Sequence, residues 1–254
     1  MKRFGFGLGI GAMTVDGSPI VRPTKMVVFD GITKFFDLGA LNLDSTISGS
    51  DKKFTVAGLF YLENTGGSSP VFLACEKVGT NQMRIIWDGV NGWLDFQFST
   101  DGGVSYNCSY KPAVAFDLQG AWFQVVITYD DTLADHKGKI YFNDIAPTMS
   151  DPAGEDTIDS VADAVVRNSI TDAPVLPFNG KKAWFGWFNN IKSAAVISSW
   201  YDGGLFRVPT SDMDAIKVFD AGALSDLTTG WKDQDGNNFG AFYNSVAGDL
   251  QTFP

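Results

Sequence analysis

AWFQVVITYDDTLADHKGKIYFND, residues 121–144, is the stretch whose reading decides the fold. Successive side chains alternate across a strand, so Trp122, Gln124, Val126 and Thr128 share one face while Phe123, Val125, Ile127 and Tyr129 share the other. The second face is wholly apolar or aromatic and must be buried; only the first can be partly wet. Asp130-Asp131-Thr132 and Asp135-His136-Lys137-Gly138 supply turn chemistry, and Lys139 to Phe142 resumes a strand pattern that stops at Asn143-Asp144. The stretch reads as a β-hairpin.

Outward from it, the same grammar recurs. Residues 54–61 form the strongest other strand signal, residues 26–31 read as the first strand with its turn, and Phe35-Phe36 begins a second short run. Short strands are expected over 71–76, 83–87, 93–99 and 104–110, the last entered through the hairpin signal Asp101-Gly102-Gly103. With 14% aromatics, 28 glycines in 254 residues and no long helical period, the chain is expected to be all-β, built from many strands and tight turns. Residues 147–177 are acidic and read as a loop excursion over the surface, with a short helix over 159–166. A strand over 182–188 and another over 203–208 follow. Ser211 with Asp214 three residues on predicts a capped helix reaching Phe219, and residues 222–254 read as a polar, glycine-rich and aromatic tail.

The W-x-x-V-x-x-T-Y-D run, polar loop and K-I-Y-F-N-D return resemble the central hairpin of laminin G-like domains, members of the concanavalin A-like lectin and glucanase jelly-roll group. Residues 54–61 resemble the early core strand of those domains, and Trp200-Tyr201-Asp202-Gly203-Gly204-Leu205 resembles their late strand entry. The resemblance covers residues 26 to 220 and implies an antiparallel two-sheet jelly-roll sandwich. Domains of this kind are common in bacteriophage virion proteins, and the likeness specifies fold better than function.

Residues 1–25 form an expected arm ahead of one domain spanning 26–254. Phe4, Phe6, Leu8 and Ile10 alternate with Gly5, Gly7, Gly9 and Gly11, so an extended conformation puts four apolar side chains on one edge and bare backbone on the other. The stretch is too glycine-diluted for a leader h-region and too short for a membrane span. It is read as a docking segment, with Phe4, Phe6, Leu8 and Ile10 as the assembly residues and strand addition as the mode.

Chemistry is constrained by what is scarce. The only glutamates are Glu63, Glu76 and Glu155, and none has an acid at the alternate strand positions that a glycosidase pair requires. His136, the only histidine, lies in the hairpin turn without a nucleophile elbow, and with Cys75 and Cys108 it supplies too few ligands for a zinc cage. Asp233-x-Asp235-Gly236-Asn237 opens like a calcium loop but has Asn244 where the closing acid belongs; Asp130, Asp131 and Asp135 are a second candidate that turn formation also explains. No catalytic residue, cofactor or metal ligand is assigned. Cys75 and Cys108 either pair or stay as buried thiols. A net charge of −10 opposes nucleic-acid binding, and no segment suits a membrane.

The expected function is therefore that of a non-enzymatic structural protein of a bacteriophage virion: a capsid decoration or a tail or fibre accessory, docked through its arm onto other virion subunits such as capsid or tail proteins, and homo-oligomeric. The alternative is a carbohydrate-binding module or adhesin, with Trp87, Trp93, Trp187 and Trp200 as candidates for stacking on sugar rings of a host glycan.

Overall fold

The structure, a computed structural model, describes residues 21–40, 52–63, 69–76, 82–99, 108–113, 115, 118–134, 137–150, 165–167, 177–202, 205–209, 215–228, 230–233 and 237–254. Two antiparallel sheets face each other, each of seven strands among the described residues. The first runs, in spatial order, β18 (Leu250–Thr252), β1 (Lys25–Asp30), β11 (Asn179–Phe188), β3 (Lys53–Leu62), β8 (Trp122–Asp130) and β9 (Gly138–Phe142), with β14 (Ala215–Asp220) also on β11. The second runs β17 (Ala241–Tyr243), β2 (Phe35–Ala40), β10 (Val165–Arg167), β4 (Val71–Glu76), β5 (Gln82–Asp88), β6 (Trp93–Ser99) and β7 (Cys108–Tyr110). Two small ladders, β12 (Tyr201–Asp202) with β13 (Leu205–Phe206) and β15 (Trp231–Lys232) with β16 (Asn238–Phe239), and the helix α1 (Ala194–Ser199) complete it. This is the antiparallel two-sheet jelly-roll sandwich that the resemblance to laminin G-like domains implies.

The hairpin is β8 and β9, and its neighbour on the other side is β3, paired from Lys53↔Asp130 to Tyr61↔Trp122. Phe123, Val125, Ile127 and Tyr129 join Phe54, Val56 and Phe60 in the core between the sheets. Gly58 interrupts that inner row, and a Cβ there would collide with the Phe60 ring. Rings close the gap between the sheets: Phe60 meets Phe72 edge-on at 5.0 Å and Phe36 stacks on Phe185 at 5.1 Å. Such contacts add roughly 1 kcal/mol each to the area they bury.

One residue breaks the apolar rule. Lys182 is fully buried inside this core. The register of β11 against β3 shifts between Lys182 and Trp184, so alternation restarts: Ala183, Trp184 and Phe188 face outward, while Phe185 and Trp187 face the core. A second shift, in β4 against β5 between Val71 and Leu73, lies across the gap at Phe72, whose carbonyl accepts a hydrogen bond from Lys182 Nζ. The rings of Phe178, Phe60, Phe36 and Phe29 surround the amine at 4.3, 5.1, 5.2 and 5.8 Å. Four ring faces favour a cation by about 2 kcal/mol or more, whereas desolvating an unpaired ammonium costs several kcal/mol. Burial wins and pushes the amine well below its ordinary pKa.

Several local expectations fail for tertiary reasons. Residues 215–220 form β14, not the end of a helix, because Val218 and Phe219 alternate between the outer and inner cores and the segment pairs with β11; residues 211–214 lie outside the described residues. Of the helix expected over 159–166, only Val165 and Val166 are described, and they belong to β10, between β2 and β4. The supposed tail is structural: β18 extends the first sheet beyond β1, β17 extends the second beyond β2, and Leu224, Leu227 and Trp231 enter the inner core. The helix α1, capped by the Ser193 side chain on the backbone N–H of Val196, is not anticipated in the sequence.

The register also decides the cysteines. Cys75 pairs with Met83, Phe98 pairs with both Met83 and Cys108, so three strand spacings, about 14 Å, separate the cysteine backbones, against a limit of about 7 Å for a disulfide. Denatured protein prepared without reductant is expected to titrate two thiols with Ellman's reagent; none would contradict the register.

Lys182 gives the sharper prediction. Its folded pKa lies below the ordinary value of 10.5, so the unfolded chain binds the extra proton, and stability falls as pH drops from about 10.5 towards the folded pKa. Lys182→Met removes that titration while filling similar volume. Its melting temperature is expected to exceed wild type, by a margin that widens between about pH 9 and pH 6; a margin independent of pH would refute the buried neutral amine.

Candidate functional site

The arm residues Phe4, Phe6, Leu8 and Ile10 lie outside the described residues, as do Asp135, His136 and Glu155. Described structure begins at Val21, which pairs with Val208 and accepts its backbone N–H at 2.8 Å. Of the four tryptophans proposed for stacking, three fail: Trp87, Trp187 and Trp200 are at most 1% exposed, locked in the inner and outer cores. Trp93 alone of the four is half-exposed.

The acidic turns are internally satisfied. Asp233 accepts from Lys217 Nζ at 2.6 Å and from the Asn237 backbone N–H at 2.8 Å. Its burial would raise the carboxyl pKa, but these hydrogen bonds outweigh it and hold the group below the ordinary range. Asp130 caps Thr132 and pairs with Lys53 at 3.2 Å, and Asp131 pairs with Lys137 at 3.1 Å. Glu63 pairs with Lys181 at 3.7 Å. Among the described residues no group of three potential metal ligands comes together.

What the fold does bring together lies on the outer face of the second sheet. Alternation sends Met83, Ile85 and Trp87 of β5 and Leu94 and Phe96 of β6 inward, leaving Arg84, Trp93, Asp95 and Gln97 outward with Ser109 of β7. Arg84 opposes Gln97, and Gln97 opposes Ser109, so three strands set one polar row. Arg84 Nε donates to Gln97 Oε1 at 2.6 Å, Gln97 Nε2 to Asp95 Oδ2 at 2.5 Å, and Ser109 Oγ to Asp95 Oδ1 at 2.7 Å. Lys111 Nζ sits 4.4 Å over the Trp93 ring. Asp95 is buried beneath this network, and its burial raises the carboxyl pKa against the opposing effects of Ser109, Gln97, Lys111 and Arg84. Polar donors fixed by strand register beside a half-exposed indole can grip a hydroxylated ring.

The outer face of the first sheet is different. There α1, β13 and Phe253 cover a second apolar core of Leu59, Val126, Trp184, Phe188, Ile197 and Trp200. Beside it, a hollow of about 650 Å³ opens between the hairpin turn, β9 and residues 146–149, lined by Leu133, Lys139, Tyr141, Pro147 and Met149.

No family model matches the sequence, and no curated protein is significantly similar to it. Among solved structures, a protein from Bacteroides ovatus put forward as carbohydrate-binding superposes with a TM-score of 0.61 at 16% identity, over 93% of this chain and 62% of that one. The heptameric SAP-like pentraxin from Limulus polyphemus gives 0.54 at 10% identity, over 88% and 98%. The CBM40 domain of the Ruminococcus gnavus IT-sialidase gives 0.50 at 12% identity, over 68% and 96%. At these identities the likeness is one of fold, and it agrees with the lectin-like jelly roll.

The raised Asp95 pKa carries a sign. The folded chain holds the proton more tightly than the unfolded one, so this group's contribution, present below about pH 3.8, is lost as pH rises through the folded value. Asp95→Asn cannot ionise. Whatever offset its changed hydrogen bonds bring, its melting temperature relative to wild type should become more favourable from about pH 3.5 to pH 7; calorimetry at the two pH values checks this.

Proposed function

We propose that this chain is a non-catalytic carbohydrate-binding domain that presents the outer face of its second sheet to a glycan. The observation that carries the reading is the Arg84–Gln97–Asp95–Ser109 ladder beside Trp93: neutral and charged hydrogen-bonding groups held rigidly across three strands, next to an indole. Rigid donors lose little entropy on binding, which suits a ligand as heavily hydrated as a sugar. The fold is shared with a protein put forward as carbohydrate-binding and with a sialidase CBM40 domain, and that supports the same class of ligand. The shared pentraxin fold, heptameric in Limulus, supports the expectation of a homo-oligomer, in which weak single contacts would add by avidity.

In a second reading the same domain rides on a bacteriophage particle, bound to capsid or tail subunits through Phe4, Phe6, Leu8 and Ile10; the glycine-apolar alternation of residues 4–11 favours it. The two are compatible, since a particle subunit that binds host glycan needs both an arm and a face.

Glycan-array screening followed by calorimetry tests the first reading. Arg84→Ala, Gln97→Ala and Trp93→Ala should each weaken the best ligand by about tenfold or more, the equivalent of about 1.4 kcal/mol, without lowering the melting temperature enough to unfold the domain. Undiminished affinity in all three would remove this face from consideration.

A further inference from the structure

The covered face of the first sheet holds a buried polar group with no partner. Gln124 lies on β8 between Trp122 and Val126, on the face opposite the inner core, and is 0% exposed. Among the described residues neither its Nε2 nor its Oε1 has a hydrogen-bond partner. In the same outer layer the indole N–H groups of Trp184 and Trp200 also have no partner among the described residues. A fully buried amide that makes no hydrogen bond costs on the order of 1–3 kcal/mol per group, and native folds seldom tolerate it without a reason. Gln124 lies one row along from the Tyr61↔Trp122 pair, opposite Leu59, which pairs in turn with Trp184. The Gln124 amide, one acceptor and two donors, thus lies one row from the half-exposed rings of Trp122 and Tyr61, in the row that also holds Trp184.

Over Trp122 lies Phe253, its ring 4.7 Å away, packed against the outer core. Phe253 follows the last strand and is itself half-buried; its backbone N–H donates to Thr24 O at 2.9 Å. A single ring beyond a sheet edge is easier to lift than any strand beneath it.

We infer that Gln124, Trp122 and Tyr61 form a second, covered binding site for a neutral pyranose, with Phe253 as the lid that occupies it in the absence of sugar. Planar rings offer the stacking surface for the C–H face of the sugar, and the Gln124 amide matches a pair of adjacent hydroxyls by accepting from one and donating to the other. Lys181 Nζ lies 4.5 Å over one face of the Tyr61 ring, which leaves Trp122 as the main stacking surface, and its pairing with Glu63 at 3.7 Å balances its charge, which favours an uncharged ligand. The choice of a sugar rests on the carbohydrate reading above; the place does not, because it is set by the orphaned amide. Opening the lid would populate a state in which the amide is satisfied, a cryptic site in the ordinary thermodynamic sense.

The test uses the full chain with glucose, galactose and N-acetylglucosamine as probes, read by calorimetry and tryptophan fluorescence. Phe253→Ala is expected to tighten at least one of the three by about tenfold or to raise its stoichiometry by one site per chain, and adding Gln124→Leu should reverse the gain. Should Phe253→Ala unfold the chain, Phe253→Leu keeps an apolar contact without a ring and carries the same expectation. If affinity and stoichiometry stay unchanged for all three sugars, Gln124 holds trapped water and the inference is wrong. Adding Gln97→Ala to the lid variant separates the two faces. Loss of all binding there overturns the covered site and keeps the second-sheet reading. Binding that survives Gln97→Ala but not Gln124→Leu upholds the covered site and overturns the other face.

Discussion

The two sheets are tied by a hydrogen bond from an amine that has no charged partner among the described residues. Lys182 reaches across the sandwich to the carbonyl of Phe72, and both ends stand at register shifts, one in each sheet. A regular ladder would commit that carbonyl to a neighbouring strand; the irregularity in β4 leaves it able to accept from the facing sheet. The shift in β11 does more than place the amine. It puts Ala183 and Trp184 together on the outer side, which supplies the indole around which α1 and Trp200 pack, at 6.2 Å between the Trp184 and Trp200 rings. One inserted residue thus connects the inner core to the outer one.

The two outer faces consequently differ in kind. The first sheet's is roofed, and among the described residues the unsatisfied Gln124 amide stands out against the apolar side chains of the outer core. The second sheet's carries a small outer cluster, Val71, Ala74 and Ile86, beside the polar ladder of Arg84, Gln97 and Asp95. A sandwich can tolerate one such polar face because antiparallel sheets need only one side buried. The polar side is where stability is least at stake and where recognition can be built.

The hairpin of residues 121–144 was legible in the sequence because both its periodicity and its turn residues point the same way. The alternation of β3 was equally plain. Elsewhere the local signal misled. Ser211 and Asp214 have the spacing of a helix cap, yet pairing with β11 makes residues 215–220 a strand. Trp87, Trp187 and Trp200 look like stacking platforms in one dimension, and only the three-dimensional layering shows that two layers of core consume them. The polar ladder was not anticipated: Arg84, Asp95, Gln97 and Ser109 are unremarkable singly, and strand register alone joins them. Lys182 could have been flagged, since a lysine next to AWFGWF in a strand buried on both faces has nowhere wet to go.

The edge strands carry a consequence for the birth of the protein. Lys25 pairs with Thr252 and Phe36 with Phe242, so β1 and β2, made early, wait for partners made more than two hundred residues later. At about 5–20 residues per second, ribosomal synthesis leaves the edges of β1 and β2 bare for roughly ten seconds or more. Unpaired edges are templates for another chain's strand, and neighbouring chains on one polysome are the nearest supply. The β3–β8–β9 core can assemble in that interval, but the outer edges of β1 and β2 are covered only after β18 and β17 have cleared the exit tunnel. Chaperone occupancy during this window, followed by ribosome profiling of chaperone-bound nascent chains, would therefore trace the order in which the two sheets are sealed.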